Sequence, residues 1–147
     1  MKILVINGPN LNLLGRREPE IYGRATYADL LAFLQEQAAA LGVGLECRQT
    51  NHEGEIIDLI QLAPEAGFDG IVINPAGYTH TSVAILDALL AVPVPAVEVH
   101  LSDPDKREEF RRVSYLRPAC AAIYKGEGFL SYEKALRFLS ENKKNDP

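Results

Sequence analysis

Four apolar residues, Ile3-Leu4-Val5-Ile6, run without interruption into Asn7-Gly8-Pro9-Asn10. A half-exposed strand alternates apolar and polar residues. An unbroken β-branched run of strand length is instead buried on both faces, as an interior strand of a parallel sheet is. The pattern recurs where Ile71-Val72-Ile73 meets Asn74-Pro75-Ala76-Gly77, and where Val97-Glu98-Val99-His100-Leu101 meets Ser102. Ligands of open α/β sheets bind in the crevice beyond the carboxyl ends of the strands. Three strands that deliver polar groups to one edge therefore mark a site.

The periodicity between these runs predicts five strands alternating with five helices. After a first strand at Lys2–Asn7 comes a long irregular stretch, Gly8 to Arg24. A helix then starts at Thr26, with Asp29 completing a capping box, and ends at Gly42. A strand at Val43–Gln49, a helix over Glu53–Ala66 with Pro64 disturbing its last turn, a strand at Gly70–Asn74 and a helix from Thr81 to Ala91 follow. Next come a strand at Ala96–Leu101, a short helix over Pro104–Arg112, a strand at Ala119–Tyr124 and a helix over Ser131–Lys143, with a frayed tail from Asn145. Strict β-α alternation belongs to a doubly wound parallel sheet in three α/β/α layers. Five strands favour the flavodoxin-like order 2-1-3-4-5, which places Asn7–Asn12 opposite Asn74–His80 across the switch point.

A chain of 147 residues is expected to form a single domain, residues 1–147. Its net charge of −5 argues against nucleic acid or an anionic membrane as partner. The basic residues are nonetheless clustered, at Arg16-Arg17 with Arg24 and at Lys106-Arg107 with Arg111-Arg112, which suits a small anion as well as it suits solvated surface. No apolar run approaches membrane-spanning length, and Cys47 and Cys120 make no disulfide framework. A cytoplasmic protein is the expectation. His52, His80 and His100 have no metal-site spacing, so no metal is expected. Lys125 has nothing beside it to activate an amine.

The chemistry-bearing residues gather at the same edge. Glu98 and His100 lie two apart on a strand and share a face. A carboxylate that orients and charges an imidazole makes a general acid or base, although such a pair can also merely close a strand end. In Gly15–Arg24, glycines at either end can hinge a lid. Tyr22 can serve there as a base if a guanidinium, Arg17 or its neighbour Arg16, lowers a phenol pKa of about 10. Asn10, Asn12 and Asn74 offer neutral donors to an oxyanion or a water, or simply turn chemistry. The turns at Thr79–Ser82 and Ser102-Asp103-Pro104 can present amides to an anion. Arg107 and Arg111 are predicted on one helix face, as ligands of an anion or as partners of Glu108 or Asp103.

Five blocks, spread from Ile3 to about Leu139, together resemble type II 3-dehydroquinate dehydratase: Asn7-Gly8-Pro9-Asn10-Leu11-Asn12; Gly15–Pro19 with Tyr22-Gly23; Asn74–Ser82; Glu98–Ser102; and Arg107–Arg111 with Ser114-Tyr115. The resemblance implies a cofactor-free trans elimination of water from 3-dehydroquinate, through an enolate, to 3-dehydroshikimate, in the shikimate pathway or in quinate breakdown. It implies Tyr22 as base, Arg17 as its activator, Asn10 as the group ordering a water on the enolate oxygen, His100 as acid and Glu98 as its polarising partner. Asn74, His80, Asp87 and Arg111 correspond to contacts with substrate hydroxyls, the Leu101 and Ser102 amides to a carboxylate clamp, and Arg107 to a cation beside Tyr22. It further implies a dodecamer, a tetramer of trimers, with Asp87 reaching a neighbouring subunit's site. Asp103 and Arg117 depart from the family's usual asparagine and small polar residue. The competing expectation is a non-catalytic flavodoxin-like module that binds a small anion. A phospho-accepting receiver would need acids where Asn7 and Asn74 stand.

Overall fold

The first apolar run forms strand β1, Lys2–Asn7, in a computed structural model that describes residues 1–16 and 18–144, with Tyr22 and Lys144 at the backbone alone. β1 lies between β2 (Gly44–Gln49) and β3 (Gly70–Asn74), and β4 (Ala96–His100) and β5 (Ala122–Lys125) extend the sheet beyond β3. All four pairings are parallel and the order is β2-β1-β3-β4-β5, the flavodoxin-like order expected.

Side-chain alternation sorts the helices onto the two faces. Ile3, Val5, Val72, Val97 and Val99 pack against α2 (Tyr27–Leu41) and α5 (Phe129–Lys144). Leu4, Ile6, Ile71 and Ile73 pack against α3 (Glu53–Leu62) and α4 (Val83–Ala91). A helix of four residues, α1 (Pro19–Tyr22), lies in the long loop after β1. Each fully buried Val, Leu or Ile is worth about 1.5–3 kcal/mol relative to exposure. Because both faces of β1 are apolar, alternation alone would not fix its register. The polar ends do: Asn7 sits in register with Asn74, and the Gly8 amide donates to the Asn74 carbonyl at 2.8 Å.

Gly8 makes that approach possible, since a Cβ there would stand 2.7 Å from the Pro75 carbonyl oxygen. Backbone cannot yield as a flexible side chain does. Gly8→Ala is expected to cost about 1–3 kcal/mol, the range for overpacking, and to lower Tm in a thermal melt. An unchanged Tm would mean that the two turns do not abut.

Element ends depart from the sequence reading for local reasons. The capping box is present, with the Asp29 amide donating to Thr26 Oγ1 at 3.2 Å and the Thr26 amide to Asp29 at 2.8 Å. Gly42 closes α2 in the left-handed region (φ 68°). α3 stops at Leu62, short of Ala66, because Pro64 has no N–H with which to continue the helical hydrogen-bond ladder, although Ala63 before it keeps helical angles. α4 begins at Val83, with Ser82 capping the Ile85 amide, so Thr81 lies outside it. β4 ends at His100, β5 starts only after a 3-10 turn at Arg117–Ala119, and α5 starts at Phe129.

The larger correction is the helix expected over Pro104–Arg112. Two single 3-10 turns, Pro104–Lys106 and Glu109–Arg111, replace it, with Arg107 extended between them. Phe110 and Val113 are both exposed, so this stretch has no apolar face to bury, and a helix this short cannot persist without one. Asn145, Asp146 and Pro147 lie outside the described residues.

Candidate active site

The carboxyl ends of β1, β3 and β4 border a cavity of about 230 Å3. Eight of the residues singled out from the sequence line it: Asn10, Asn74, His80, His100, Leu101, Ser102, Arg107 and Arg111. Glu98 stands behind them, fully buried. Its Oε1 accepts the His100 Nε2 hydrogen bond at 2.6 Å, and the Ser114 hydroxyl sits 2.9 Å from both carboxylate oxygens. A buried carboxylate needs such partners to offset its desolvation. With Nε2 committed to Glu98, Nδ1 is the His100 nitrogen left to serve the cavity. Val97, Val99 and Leu101 point the other way, into the α2–α5 core.

His80 is fixed by the opposite ring atom. Its Nδ1 donates to the Val113 carbonyl at 2.7 Å, which leaves Nε2 to accept from a ligand hydroxyl while the ring is neutral. Burial holds its pKa below 6.5 against the hydrogen bond to the Val113 carbonyl, which raises it; His100 and Arg111 act with burial, and Glu98 opposes them. A depressed histidine pKa means a neutral ring above 6.5, with protonation only as pH falls below that. Binding of a non-reacting ring carboxylate is therefore expected to be flat above pH 6.5 and to weaken below it. His80→Gln, which accepts without titrating, should flatten that limb. Titration calorimetry of both proteins across pH checks this, and identical acid limbs would contradict it.

Asn10 takes a left-handed conformation (φ 70°), and its amide donates to Asn51 Oδ1 at 3.0 Å. Gln49 Nε2 reaches the Gly8 carbonyl at 3.2 Å, so the end of β2 buttresses the turn carrying Asn10. The turn after β4 is pinned through its carbonyls: Leu101 accepts from the Gly128 amide at 3.0 Å and Ser102 from the Gly126 amide at 3.1 Å. Arg111 Nε donates to Glu108 at 2.8 Å, and Arg107 approaches Glu18 of the long loop at 3.8 Å. Although not on one helix, both guanidiniums reach the cavity, so its outer wall is cationic.

A family model described as dehydroquinase class II matches residues 1–140. The chain belongs to the class II dehydroquinase family. The 3-dehydroquinate dehydratase of Thermus thermophilus is 54% identical over 139 residues, 95% of this chain and 93% of that protein. A catabolic 3-dehydroquinase of Verticillium alfalfae is 53% identical over 143 residues, 97% and 95% of the two chains. The crystal structure of a type II dehydroquinase from Butyrivibrio crossotus superposes with a TM-score of 0.93 at 50% identity, covering 95% of this chain and 97% of that one.

Other residues expected from the class II dehydroquinase pattern are not among the described residues lining the cavity. Arg17 lies outside the described residues, and Tyr22 ends α1 with its side chain likewise undescribed. Gly15 and Gly23, the expected hinges, both have positive φ. A Cβ on Gly15 would stand 2.9 Å from the Arg24 carbonyl oxygen, so the loop closes on its own base. Asp87 is exposed on α4 and does not border the cavity of its own chain. Asn12 is also exposed, where Oδ1 accepts from Gln49 at 3.4 Å. Asp103 caps the Asp105 amide at 3.0 Å and pairs with Lys125 at 3.7 Å, so a carboxylate at this position has its own use.

Ser114, Tyr132 and Asn51 support the site without having been assigned roles from the sequence. Ser114 stood inside a recognised block, but its sixteen-residue separation from Glu98 carries no periodic signal. Burial raises the Cys47 thiol to about 11 and the Cys120 thiol to about 12, which keeps both protonated and unreactive. Among the described residues, no three of histidine, cysteine, aspartate and glutamate are grouped as a metal ion would need. Nor is any helix there long and apolar enough to cross a membrane.

Proposed function

We propose that this chain dehydrates 3-dehydroquinate to 3-dehydroshikimate by trans elimination without a cofactor. One observation carries the reading: a buried carboxylate held against an imidazole, Glu98 with His100 at 2.6 Å, at the edge of a crevice also lined by Asn10, Asn74 and two arginines. A module that only bound an anion would use the arginines and the turn amides. It would gain nothing from burying Glu98 to orient an imidazole.

In the proposed reaction Tyr22, activated by Arg17, takes a proton from the carbon beside the ketone. The electron pair moves onto the ketone oxygen, where a water ordered by Asn10 stabilises the enolate. The enolate then collapses, a carbon–carbon double bond forms, and the bond to the departing hydroxyl breaks as His100 supplies its proton. Water and a conjugated enone result. The Leu101 and Ser102 amides hold the substrate carboxylate, Asn74, His80 and Arg111 hold its hydroxyls, and Arg107 adds charge on the side of Tyr22. The Verticillium alfalfae relative is named a catabolic enzyme, and the same site serves biosynthesis or breakdown.

The proposal extends to assembly as a dodecamer, in which Asp87 completes a neighbour's site. Val83 and Leu90 beside it on α4 are exposed, as are Phe110 and Val113, more apolar surface than one chain has use for. Free, unreactive thiols suit a cytoplasmic setting. The test is near-ultraviolet absorbance with purified protein, 3-dehydroquinate and a chelator present. Steady growth of the enone band supports the proposal, and a flat trace at high enzyme concentration overturns it.

A further inference from the structure

Beneath the crevice, three polar side chains from distant parts of the chain meet in the core. The Tyr132 hydroxyl, on α5, donates to Asn7 Oδ1 at 2.7 Å and accepts from Asn74 Nδ2 at 2.9 Å. Tyr132 and Asn7 are fully buried and Asn74 is 3% exposed. Asn74 Oδ1 accepts the Ala76 amide at 3.2 Å.

These bonds have a direction. The Ala76 N–H can only donate, so the Asn74 atom facing it is the oxygen. That turns Nδ2 toward Tyr132, whose oxygen must accept. Its single hydroxyl proton is then free for Asn7, which offers Oδ1. Asn74 keeps a second Nδ2 hydrogen, and Asn74 borders the cavity.

We infer that Tyr132 is a positioning residue: the Ala76 N–H sets which way the Asn74 amide faces, and the Tyr132 hydroxyl braces its Nδ2 so that the second N–H is held toward the ligand. Tyr132 touches no ligand itself. Burial raises its phenol far above 10, so it stays protonated and the direction of the chain of bonds does not reverse with pH. Tyr27 flanks the far end, its phenol in contact with the Asn7 side chain. The inference rests on the proposed function for its ligand, whose hydroxyl oxygen would accept from Asn74.

Asn74 would hold a hydroxyl that does not react, so loosening it removes binding common to ground and transition states. Tyr132→Phe is expected to raise KM for 3-dehydroquinate about tenfold with kcat within about twofold. In an Asn74→Ala background the same change should leave KM where Asn74→Ala put it, because the two residues act as one unit. Tyr132→Phe can also lower Tm, as any loss of a buried hydrogen bond does. A lower Tm with unchanged KM, or KM effects that multiply in the double variant, would overturn the inference. If Tyr132→Phe does not fold, Asn7→Ser gives the second test. Too short to reach the hydroxyl, it releases the Tyr132 proton and should raise KM by a smaller factor, and an unchanged KM would count against the inference. Nuclear magnetic resonance supplies a readout that needs no turnover. The Asn74 side-chain amide protons should exchange slowly in the unmodified protein and at least tenfold faster in Tyr132→Phe, and equal rates would overturn the inference. An unmodified protein without turnover would instead remove the proposed function, leaving amide exchange to decide the role of Tyr132.

Discussion

Replacing His100 with alanine lowers kcat for 3-dehydroquinate about 100- to 10,000-fold, the usual contribution of a positioned general acid. His100 Nε2 is tied to Glu98 at 2.6 Å, so its other nitrogen is the one that faces substrate. Water admitted into the space is neither oriented nor backed by a carboxylate. The substitution also removes a hydrogen-bond partner of a buried carboxylate. Leaving a buried carboxylate short of a partner costs about 1–3 kcal/mol, more where it is charged, and among the described residues Ser114 remains to bond Glu98. The variant is therefore expected to melt lower as well as to turn over slowly. The two effects separate in Glu98→Gln, which keeps the shape of the pair and removes its charge: Tm should recover relative to His100→Ala while kcat stays well below that of the unmodified protein. Steady-state kinetics and thermal melts on the three proteins check this. A His100→Ala protein of near-normal kcat would remove His100 from the chemistry.

Tyr22→Phe is the second large expected loss, again about 100- to 10,000-fold in kcat. Its KM should change little, because the phenol acts on a C–H bond rather than anchoring a substrate oxygen. A free phenol with a pKa of about 10 is a poor base at neutral pH, so a base at Tyr22 requires a guanidinium to lower it, the role proposed for Arg17. Arg17→Gln should accordingly move the acid limb of the kcat profile, where the base becomes protonated, to higher pH, whereas Tyr22→Phe should erase the base without leaving a shifted profile. A kcat–pH series on each variant distinguishes these outcomes. Rapid turnover by Tyr22→Phe would place the base elsewhere.

The parts of this protein that were legible in sequence are those written in local patterns. The double-sided apolar run of β1, the Thr26–Asp29 capping box and the Gly42 helix stop each depend on residues a few positions apart. Glu98 and His100 could be paired because a strand puts i and i+2 on one face. The stretch 104–112 misled because Asp103-Pro104 is a sound helix start, yet start signals say nothing of whether a face exists to bury. Ser114 and Tyr132 were not legible as parts of the site. Their bonds to Glu98 and Asn74 span the fold, and a serine in a loop or a tyrosine on a helix has many commoner uses. Asp87 shows a further limit, since its proposed role lies on another subunit and no single chain can display it.

The proposed chemistry places one ring-shaped acid between the phenol of Tyr22 and the imidazole of His100. A crystal structure with a planar analogue of the enolate bound tests this directly. The carboxylate is expected on the Leu101 and Ser102 amides, the Tyr22 oxygen over one face of the ring and His100 Nδ1 over the other, as anti loss of proton and hydroxyl requires. An analogue bound outside this crevice, or both groups on the same face of the ring, would contradict it.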